Sequence, residues 1–170
     1  VDGAEEAELL RSLRANGRGV SDKYDNQRIG MNSRLDTIQA AVLIEKLKVF
    51  PEEIETRMRI AARYNENLAP HVDAVPFLPA GNVSNWAQYT IQHSDRDGLA
   101  AHLKAAGVPT AVYYPVPMHL QPAYARFSAG PGSLPVTERL KETVISLPMH
   151  ADLDEATQDR IVAAVASFKG

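Results

Sequence analysis

One segment of the chain has the pattern of a helix that is apolar around most of its circumference. Its centre is the block 40–44, AAVLI, which leaves little room for a stripe of solvent-facing residues. A helix of this kind is expected to pack between neighbouring elements. Ser33 and Asp36 have the S-x-x-D spacing of a helix start, so the helix is predicted to begin there and to run to about Phe50.

Two further helical patterns lie on either side of this segment. Residues 5–16 predict a helix that places three leucines inward and that ends at Gly17. These leucines are Leu9, Leu10 and Leu13. Pro51 suits the first position of a separate helix that ends near Pro70. The polar segment 18–30 has no period, and a loop of this length inside a compact domain is more often functional than idle.

From Val72 onward the hydrophobic period changes, and short strands alternate with helices. Strand-like patterns occupy 72–78, 86–92, 110–114 and 144–147. Helical patterns occupy 95–106, 136–143 and a C-terminal segment with Ile161, Ala164, Val165 and Phe168 on one face. A proline-rich loop, 115–135, contains a predicted helical turn at 121–127. The alternation predicts an α+β fold, a small sheet covered by helices on one side.

Composition and charge exclude several classes of protein. At 170 residues the chain is long enough for one domain and part of another. A hydrophobic fraction of 45% with 23% charged residues excludes a disordered chain, and no apolar run has the length of a membrane span. The net charge of −3 gives no electrostatic reason to expect binding to nucleic acid or to a membrane. The absence of cysteine excludes disulfides and suits a cytoplasmic protein.

Metal and phosphate motifs are absent from the sequence. No two histidines lie three or four residues apart, and there is no H-E-x-x-H motif, so no metal is expected. The histidines are His71, His93, His102, His119 and His150. The segment 17–19, GRG, lacks both the spacing of a dinucleotide fingerprint and the lysine of a Walker loop. It predicts only the end of a helix.

The start of the apolar helix is a candidate anion site, because a helix N-terminus has free N–H groups and a favourable dipole. Asn32 adds a side-chain donor there, and Arg34 offers a bidentate fork to a carboxylate or a phosphate. The spacing also fits a structural interpretation, in which Asn32 ends the loop and Arg34 is solvated. On spacing alone the structural interpretation is slightly favoured.

Two adjacent tyrosines, Tyr113 and Tyr114, stand at the end of a predicted strand and directly before a loop. Because successive strand residues face opposite sides, one ring can pack inward while the other reaches a ligand. A second interpretation, in which both rings belong to the core or its rim, fits the pattern about equally well.

The segment 28–41, RIGMNSRLDTIQAA, together with Lys46-Leu47 and 59–68, strongly resembles the DegT/StrS family of pyridoxal-phosphate-dependent nucleotide-sugar aminotransferases. The resemblance continues through 87–90, 105–110, 113–115 and 146–150, and so covers nearly the whole chain. Within the family it is greatest to the bacterial enzymes that aminate UDP-2-acetamido-2-deoxy-3-oxo-glucuronate for surface polysaccharides such as O-antigen. The amino donor implied by the family is an amino acid, with glutamate expected.

The resemblance also implies a domain organisation. Residues 1–48 match the end of the large cofactor-binding domain with its interface helix, and 49–170 match the C-terminal small domain of a fold-type I enzyme. The lysine that forms the Schiff base with the cofactor belongs to the part of the family that precedes this segment, and no lysine here matches its motif. The lysines are Lys23, Lys46, Lys48, Lys104, Lys141 and Lys169. The chain, which begins with valine, is therefore expected to be the C-terminal portion of an aminotransferase and to be inactive alone.

The family implies roles for four residues in a homodimer whose active site lies at the interface. Asn32 matches the asparagine that reaches the cofactor phosphate of the partner subunit, and Arg34 matches an arginine near the substrate, where it would bind a uronate carboxylate. Tyr114 matches a substrate-side tyrosine. Tyr113 is placed with it, although the nearest relatives suggest histidine there. A non-catalytic dimerisation or sugar-nucleotide-binding module of the same fold is the alternative.

Overall fold

The computed structural model describes residues 2–19 and 25–170. The chain divides into two compact units, Val1–Val49 and Phe50–Gly170. The elements in chain order are α1 (Ala4–Leu13), α2 (Thr37–Leu68), β1 (Tyr89–Gln92), α3 (Arg96–Ala105), two 3-10 helices (Met118–Leu120 and Pro122–Phe127), α4 (Pro135–Thr143), β2 (Val144–Leu147) and α5 (Glu155–Ala166). Among the helices of the described ranges, none combines the length and the apolarity that crossing a membrane requires.

In the first unit, α1 ends at a left-handed turn and the chain returns alongside it. Asn16 and Gly17 have φ values of 62° and 75°, a conformation that stops a helix. The returning segment pairs with the residues that follow α1, and the bonds run from Asn16 N–H to the Met31 carbonyl (3.0 Å) and from Ser33 N–H to the Arg14 carbonyl (2.8 Å). This pairing reaches α1 at its last residue, Leu13, whose carbonyl accepts the Met31 N–H at 2.8 Å.

The predicted inward packing of α1 was wrong for two of its three leucines. Leu9 and Leu10 are exposed, Leu13 is half-buried, and the buried residue of the helix is Ser12. The reason is that apolar side chains become buried only where another element covers them, and the returning segment contacts α1 near its C-terminal end, through bonds from Met31 N–H to the Leu13 carbonyl (2.8 Å) and from Arg28 Nη1 to Ser12 Oγ (3.2 Å).

A single helix replaces the two that were predicted on either side of Pro51. α2 runs for 32 residues with Pro51 inside it. It begins at Thr37, and its first turn closes with the bond from Ala40 N–H to the Asp36 carbonyl (2.8 Å). The predicted cap by Ser33 was therefore wrong, because Ser33 lies four residues before the first residue of α2, in the extended segment that pairs with Arg14. A proline removes one helical hydrogen bond, and here the helix continues past it.

The apolar block 40–44 is also less buried than its pattern predicted. Ala40 is half-buried and the residues from Ala41 to Phe50 are exposed. Periodicity predicts which residues prefer burial, but it does not supply the element that covers them. The described part of the first unit supplies none for this face.

In the second unit, β1 and β2 form an antiparallel pair with Tyr89 opposite Leu147 and Gln92 opposite Val144. Single bridges extend this sheet on both edges, from Ala74 to Gln92 and from Ala111 to Ser146. The predicted strands 72–78 and 110–114 are thus reduced to isolated bridges. Prolines at positions 76, 109 and 115 cannot donate to a ladder, which accounts for the short pairing.

The core of the second unit lies between this sheet and three helices. Its fully buried members come from the second half of α2, from both strands and from α3 and α5. They include Tyr64, Leu68, Tyr89, Ile91, Leu99, Leu103, Ile145 and Val165. The predicted α+β class, with helices covering a small sheet, is confirmed.

Candidate functional site

The structure brings the two candidate anion-binding residues into contact. Arg34 Nε donates a hydrogen bond of 3.0 Å to Asn32 Oδ1, and both side chains are exposed. The contact occupies the amide oxygen of Asn32 and leaves its NH₂ group available as a donor. The two Nη atoms of Arg34 likewise remain as a planar fork. The pair therefore presents the Asn32 NH₂ group and the Arg34 Nη groups as hydrogen-bond donors, which an anionic ligand can use.

Two glycines determine where Asn32 lies. A Cβ atom on Gly17 would stand 1.7 Å from the Arg28 carbonyl oxygen, and one on Gly30 would stand 2.3 Å from the Gly17 nitrogen. Backbone packs against backbone at this crossing, so neither position accepts a side chain. The crossing brings Asn32 opposite Ala15, with which it forms an antiparallel bridge.

The predicted combination of Asn32 with the helix N-terminus was wrong in its geometry. Asn32 lies five residues before Thr37, the first residue of α2, and belongs to the extended segment that pairs with Ala15. The free N–H groups of α2 therefore begin further along the chain than the spacing suggested. What remains is a donor site made of the two side chains, Asn32 and Arg34.

This donor set fits the phosphate end of pyridoxal phosphate. A phosphate accepts hydrogen bonds, and the Asn32 NH₂ group donates them, while the Arg34 guanidinium adds positive charge beside it. The fit concerns the phosphate alone.

Two of the described lysines are engaged in surface ion pairs on helices, Lys48 with Glu45 and Lys141 with Glu142.

The second unit contains a cavity of about 220 Å³ at the end of the sheet. Its walls come from three segments that carry the family resemblance, namely 87–88, 109–113 and 146–149. Tyr113 lines it and is 54% exposed, while Tyr114 is 72% exposed and is not among the wall residues. Neither ring is part of the core. The two tyrosines and the Asn32–Arg34 pair lie in different units.

Two buried tyrosines support the wall of this cavity. The Tyr64 hydroxyl donates to the carbonyl of Pro148, a wall residue, at 3.2 Å, and the Tyr89 hydroxyl donates to Asn65 Oδ1 at 2.6 Å. Their rings lie 4.8 Å apart. Burial raises the pKa of both hydroxyls far above the usual tyrosine value, so they stay protonated and keep donating.

A larger cavity, of about 590 Å³, lies in the first unit and was not predicted from the sequence. Arg11, Arg18 and Arg28 line it together with Glu5 and Glu8. Glu5, Glu8 and Arg11 lie at intervals of three residues on α1, whereas Arg18 and Arg28 belong to the polar segment that follows. The unusual length of the polar segment 18–30 was the one signal that pointed to this region. Within residues 2–19 and 25–170, no group of three or more potential metal ligands is arranged around a common point.

Comparison with known proteins gives one consistent result. The model of the DegT/DnrJ/EryC1/StrS aminotransferase family matches residues 1–166. The UDP-2-acetamido-2-deoxy-3-oxo-D-glucuronate aminotransferase of Pseudomonas aeruginosa is 45% identical over 161 residues, which are 94% of this chain and 44% of that protein. The UDP-N-acetyl-3-dehydro-alpha-D-glucosamine 3-aminotransferase of Acidithiobacillus ferrooxidans is 36% identical over 94% of this chain and 43% of its own length.

Solved structures give the same result. A DegT DnrJ EryC1 StrS aminotransferase from Brucella abortus superposes with a TM-score of 0.88 at 55% identity, covering 97% of this chain and 44% of that chain. DesV from S. venezuelae superposes with a TM-score of 0.86 at 38% identity, covering 96% of this chain and 44% of that chain. The chain thus spans less than half the length of these relatives. The resemblance predicted from the sequence is confirmed, and the chain belongs to the DegT/DnrJ/EryC1/StrS aminotransferase family.

Proposed function

We propose that this chain is the C-terminal part of an aminotransferase that moves an amino group from an amino acid, glutamate by preference, to the 3-oxo group of a UDP-linked uronic acid sugar. The observation that carries the proposal is the 45% identity, over 94% of the chain, with an enzyme named for amination of a UDP-3-oxo-glucuronate. The product would enter bacterial surface polysaccharides such as O-antigen. The reaction is assigned to the cytoplasm, where nucleotide sugars are made.

The domain assignment follows from the same proposal. Residues 1–48 are assigned to the end of the large cofactor-binding domain, with its interface helix, and 49–170 to the small domain. The two compact units, Val1–Val49 and Phe50–Gly170, divide the chain at nearly the same place. The division between the two units supports this assignment. The lysine that attaches the cofactor is expected in a part of the protein outside this chain.

Pyridoxal phosphate, when bound, supplies an electron sink for the exchange of the amino group. Asn32 would hold its phosphate, donating from the amide NH₂ that the contact with Arg34 leaves available. Arg34 would hold the carboxylate of the uronate with its two Nη groups. Since Arg34 Nε also orients the Asn32 amide, one contact sets the direction of both side chains.

Tyr113 and Tyr114 are assigned to binding of the sugar substrate. Tyr113 stands at the cavity and Tyr114 is the more exposed of the two, so their hydroxyls are accessible to sugar hydroxyl groups. A homodimer with the active site at its interface completes the proposal. The exposed apolar residues of α2 before Pro51 support a protein-covered face in the assembled enzyme.

Two substitutions in the complete protein that contains this chain test the division of roles. Arg34→Lys keeps the charge but loses the planar fork, so kcat/KM for the uronate substrate is expected to fall by roughly 1.5–3 kcal/mol in transition-state binding while the cofactor is retained. Asn32→Ala is expected to weaken cofactor retention first, as followed by absorbance. Arg14→Lys, at an exposed arginine of the same unit, is the matched control.

Three outcomes would count against the proposal. If the Arg34→Lys variant turned over the uronate substrate at the wild-type rate, Arg34 would not bind the substrate carboxylate. Loss of cofactor from that variant, with retention by Asn32→Ala, would reverse the two assignments. A complete protein that binds a UDP-sugar but transfers no amino group would identify the alternative, a non-catalytic binding module.

A further inference from the structure

One carboxylate holds together the loop that follows the two tyrosines. Glu138, in the first turn of α4, accepts the Gly132 N–H at 2.8 Å on Oε1 and at 3.0 Å on Oε2. It also accepts the Leu134 N–H at 3.4 Å. Nε2 of His119 lies 3.0 Å from the same Oε1. Glu138 therefore joins two other parts of the chain, His119 and the turn 132–134, to the start of α4.

The His119–Glu138 contact is well shielded from water for a hydrogen bond near a surface. The two side chains are 10% and 21% exposed, respectively. The hydrogen bond from His119, followed by the N–H groups of Gly132 and Leu134, holds the pKa of Glu138 below its usual value. An ionised carboxylate can only accept, so His119 Nε2 carries the proton and donates.

This contact links two stretches of chain that are otherwise organised locally. Within the loop, Gln121 Nε2 donates to the Val116 carbonyl at 3.2 Å, and Leu120 N–H donates to the Pro117 carbonyl at 2.9 Å. These bonds span five residues or fewer. In the part of the chain that the structure describes, the His119–Glu138 bond is the one hydrogen bond that ties residues 115–127 to α4.

The tyrosines therefore lie between two anchors. Upstream, Ala111 is fixed to β2 by a reciprocal pair of bonds with Ser146, of 3.1 Å and 2.8 Å. Downstream, His119 is fixed to α4 by Glu138. The segment 112–118, which carries Tyr113 and Tyr114, runs from one anchor to the other without a strand or an α-helix of its own.

We propose that His119 and Glu138 are positioning residues, which hold the downstream end of the segment 112–118 and so fix Tyr113 and Tyr114 where the sugar substrate binds. The proposal rests on the function proposed above, since it takes the tyrosines to be substrate-side residues. Neither His119 nor Glu138 touches the substrate in this arrangement. Their effect on binding passes through the loop.

The test uses His119→Ala and Glu138→Ala in the complete protein that contains this chain. Both variants are expected to raise KM for the nucleotide sugar on the order of 10- to 100-fold, the loss typical of misplaced binding groups, and to leave KM for the amino donor unchanged. His119→Gln keeps an N–H donor at similar reach and is expected to restore most of the affinity. Glu142→Ala removes an exposed carboxylate of the same helix and is the matched control.

Amide hydrogen exchange gives a readout that needs no turnover. Both alanine variants are expected to speed exchange at the amides of 112–120 and to leave β1 and β2 at the wild-type rate. Faster exchange at these amides together with the selective rise in KM supports the proposal. The proposal is overturned if the variants raise KM for the sugar and for the amino donor equally. It is also overturned if KM for the sugar is unchanged in the variants while the wild type is active.

The two proposals fail in distinguishable ways. A wild-type protein that turns over no nucleotide sugar, whatever the exchange result, refutes the proposed function and removes the substrate role of the loop with it. An active wild type whose His119→Ala variant shows unchanged exchange and unchanged KM refutes the positioning role alone.

Discussion

At the scale of single residues, the crossing of Gly17 and Gly30 explains how an exposed loop holds Asn32 in a defined place. Neither glycine tolerates a Cβ atom, because carbonyl and amide groups of the opposite segment occupy that space. The donor pair of Asn32 and Arg34 thus depends on two residues that have no functional group of their own.

Gly17→Ala is expected to destabilise the pairing of the first unit by more than the cost of a left-handed residue, which is roughly 1–2 kcal/mol. The matched control is Gly81→Ala, whose φ of 83° is similar but whose added Cβ would meet open space. Amide exchange at Met31 and Ser33, both bonded across the crossing, is the measurement. Unchanged protection of these two amides in Gly17→Ala would contradict the expected clash.

Through Glu138, the free energy of unfolding should depend on pH in the acidic range. Its native pKa is lowered, chiefly by the His119 hydrogen bond, so its contribution is fully present above the ordinary glutamate pKa of about 4.3 and is lost as the pH falls through the lower native value. Glu138→Gln removes this titration. The difference in unfolding free energy between wild type and variant should shrink as the pH falls below about pH 4. A difference that is unchanged at about pH 3 or below would contradict this.

The sequence predicted candidate site residues where they belong to a motif. It did not predict which side chains contact one another. The resemblance singled out Asn32 and Arg34, but their hydrogen bond depends on a fold-back that pairs residues 15 and 32. His119 and Glu138 lie 19 residues apart, which matches neither a helical nor a strand period. Such a pair can be found only from the folded chain.

At the scale of secondary structure, α2 carries a proline inside it. Replacing Pro51 with alanine restores a donor and is expected to stabilise the helix by roughly 2 kcal/mol, the helical cost of proline reduced by its restriction of the unfolded chain. The backbone N–H that the substitution introduces at position 51 reports the new bond directly by hydrogen exchange. Glu52→Ala, at the neighbouring exposed position, is the control. If the introduced N–H exchanged without protection, the helix would be open there.

Periodicity predicted some elements closely and missed others for identifiable reasons. The pattern at 95–106 predicted α3, which is Arg96–Ala105 with Asp95 as its cap, and the pattern at 144–147 predicted β2. The strand predicted at 86–92 is shorter, because Trp86 has a φ of 46° and cannot continue a strand.

At the scale of the whole molecule, the exposed apolar residues of α2 are expected to cause self-association of the isolated chain. Ile38 and Val42, one turn apart, are 81% and 54% exposed. Changing both to glutamate should lower the apparent mass measured by light scattering at high concentration, with an unchanged circular dichroism spectrum. A wild-type chain that stays monomeric at every concentration would contradict the expectation.

Exposure of that face in the described part of the first unit agrees with the expectation that the chain is a portion of a longer family member. The apolar pattern of 40–44 predicted a helix between neighbours, and the described part of the first unit leaves it exposed. An apolar pattern shows that a helix face is suited to packing against another element. Whether the face is exposed depends on whether such an element is present in the structure. The pattern therefore supports the proposed assembly, in which another protein surface covers this face.

The chain contains one tryptophan, and its surroundings make it a selective optical probe. Trp86 is nearly buried, its ring lies 5.9 Å from that of Tyr89, and its Nε1 donates to the Met58 sulfur at 3.0 Å. All three residues belong to Phe50–Gly170. Intrinsic fluorescence excited at the indole therefore follows the melting of the second unit only, while ellipticity sums the helices of both. A heating curve recorded by the two signals separates one cooperative transition from two.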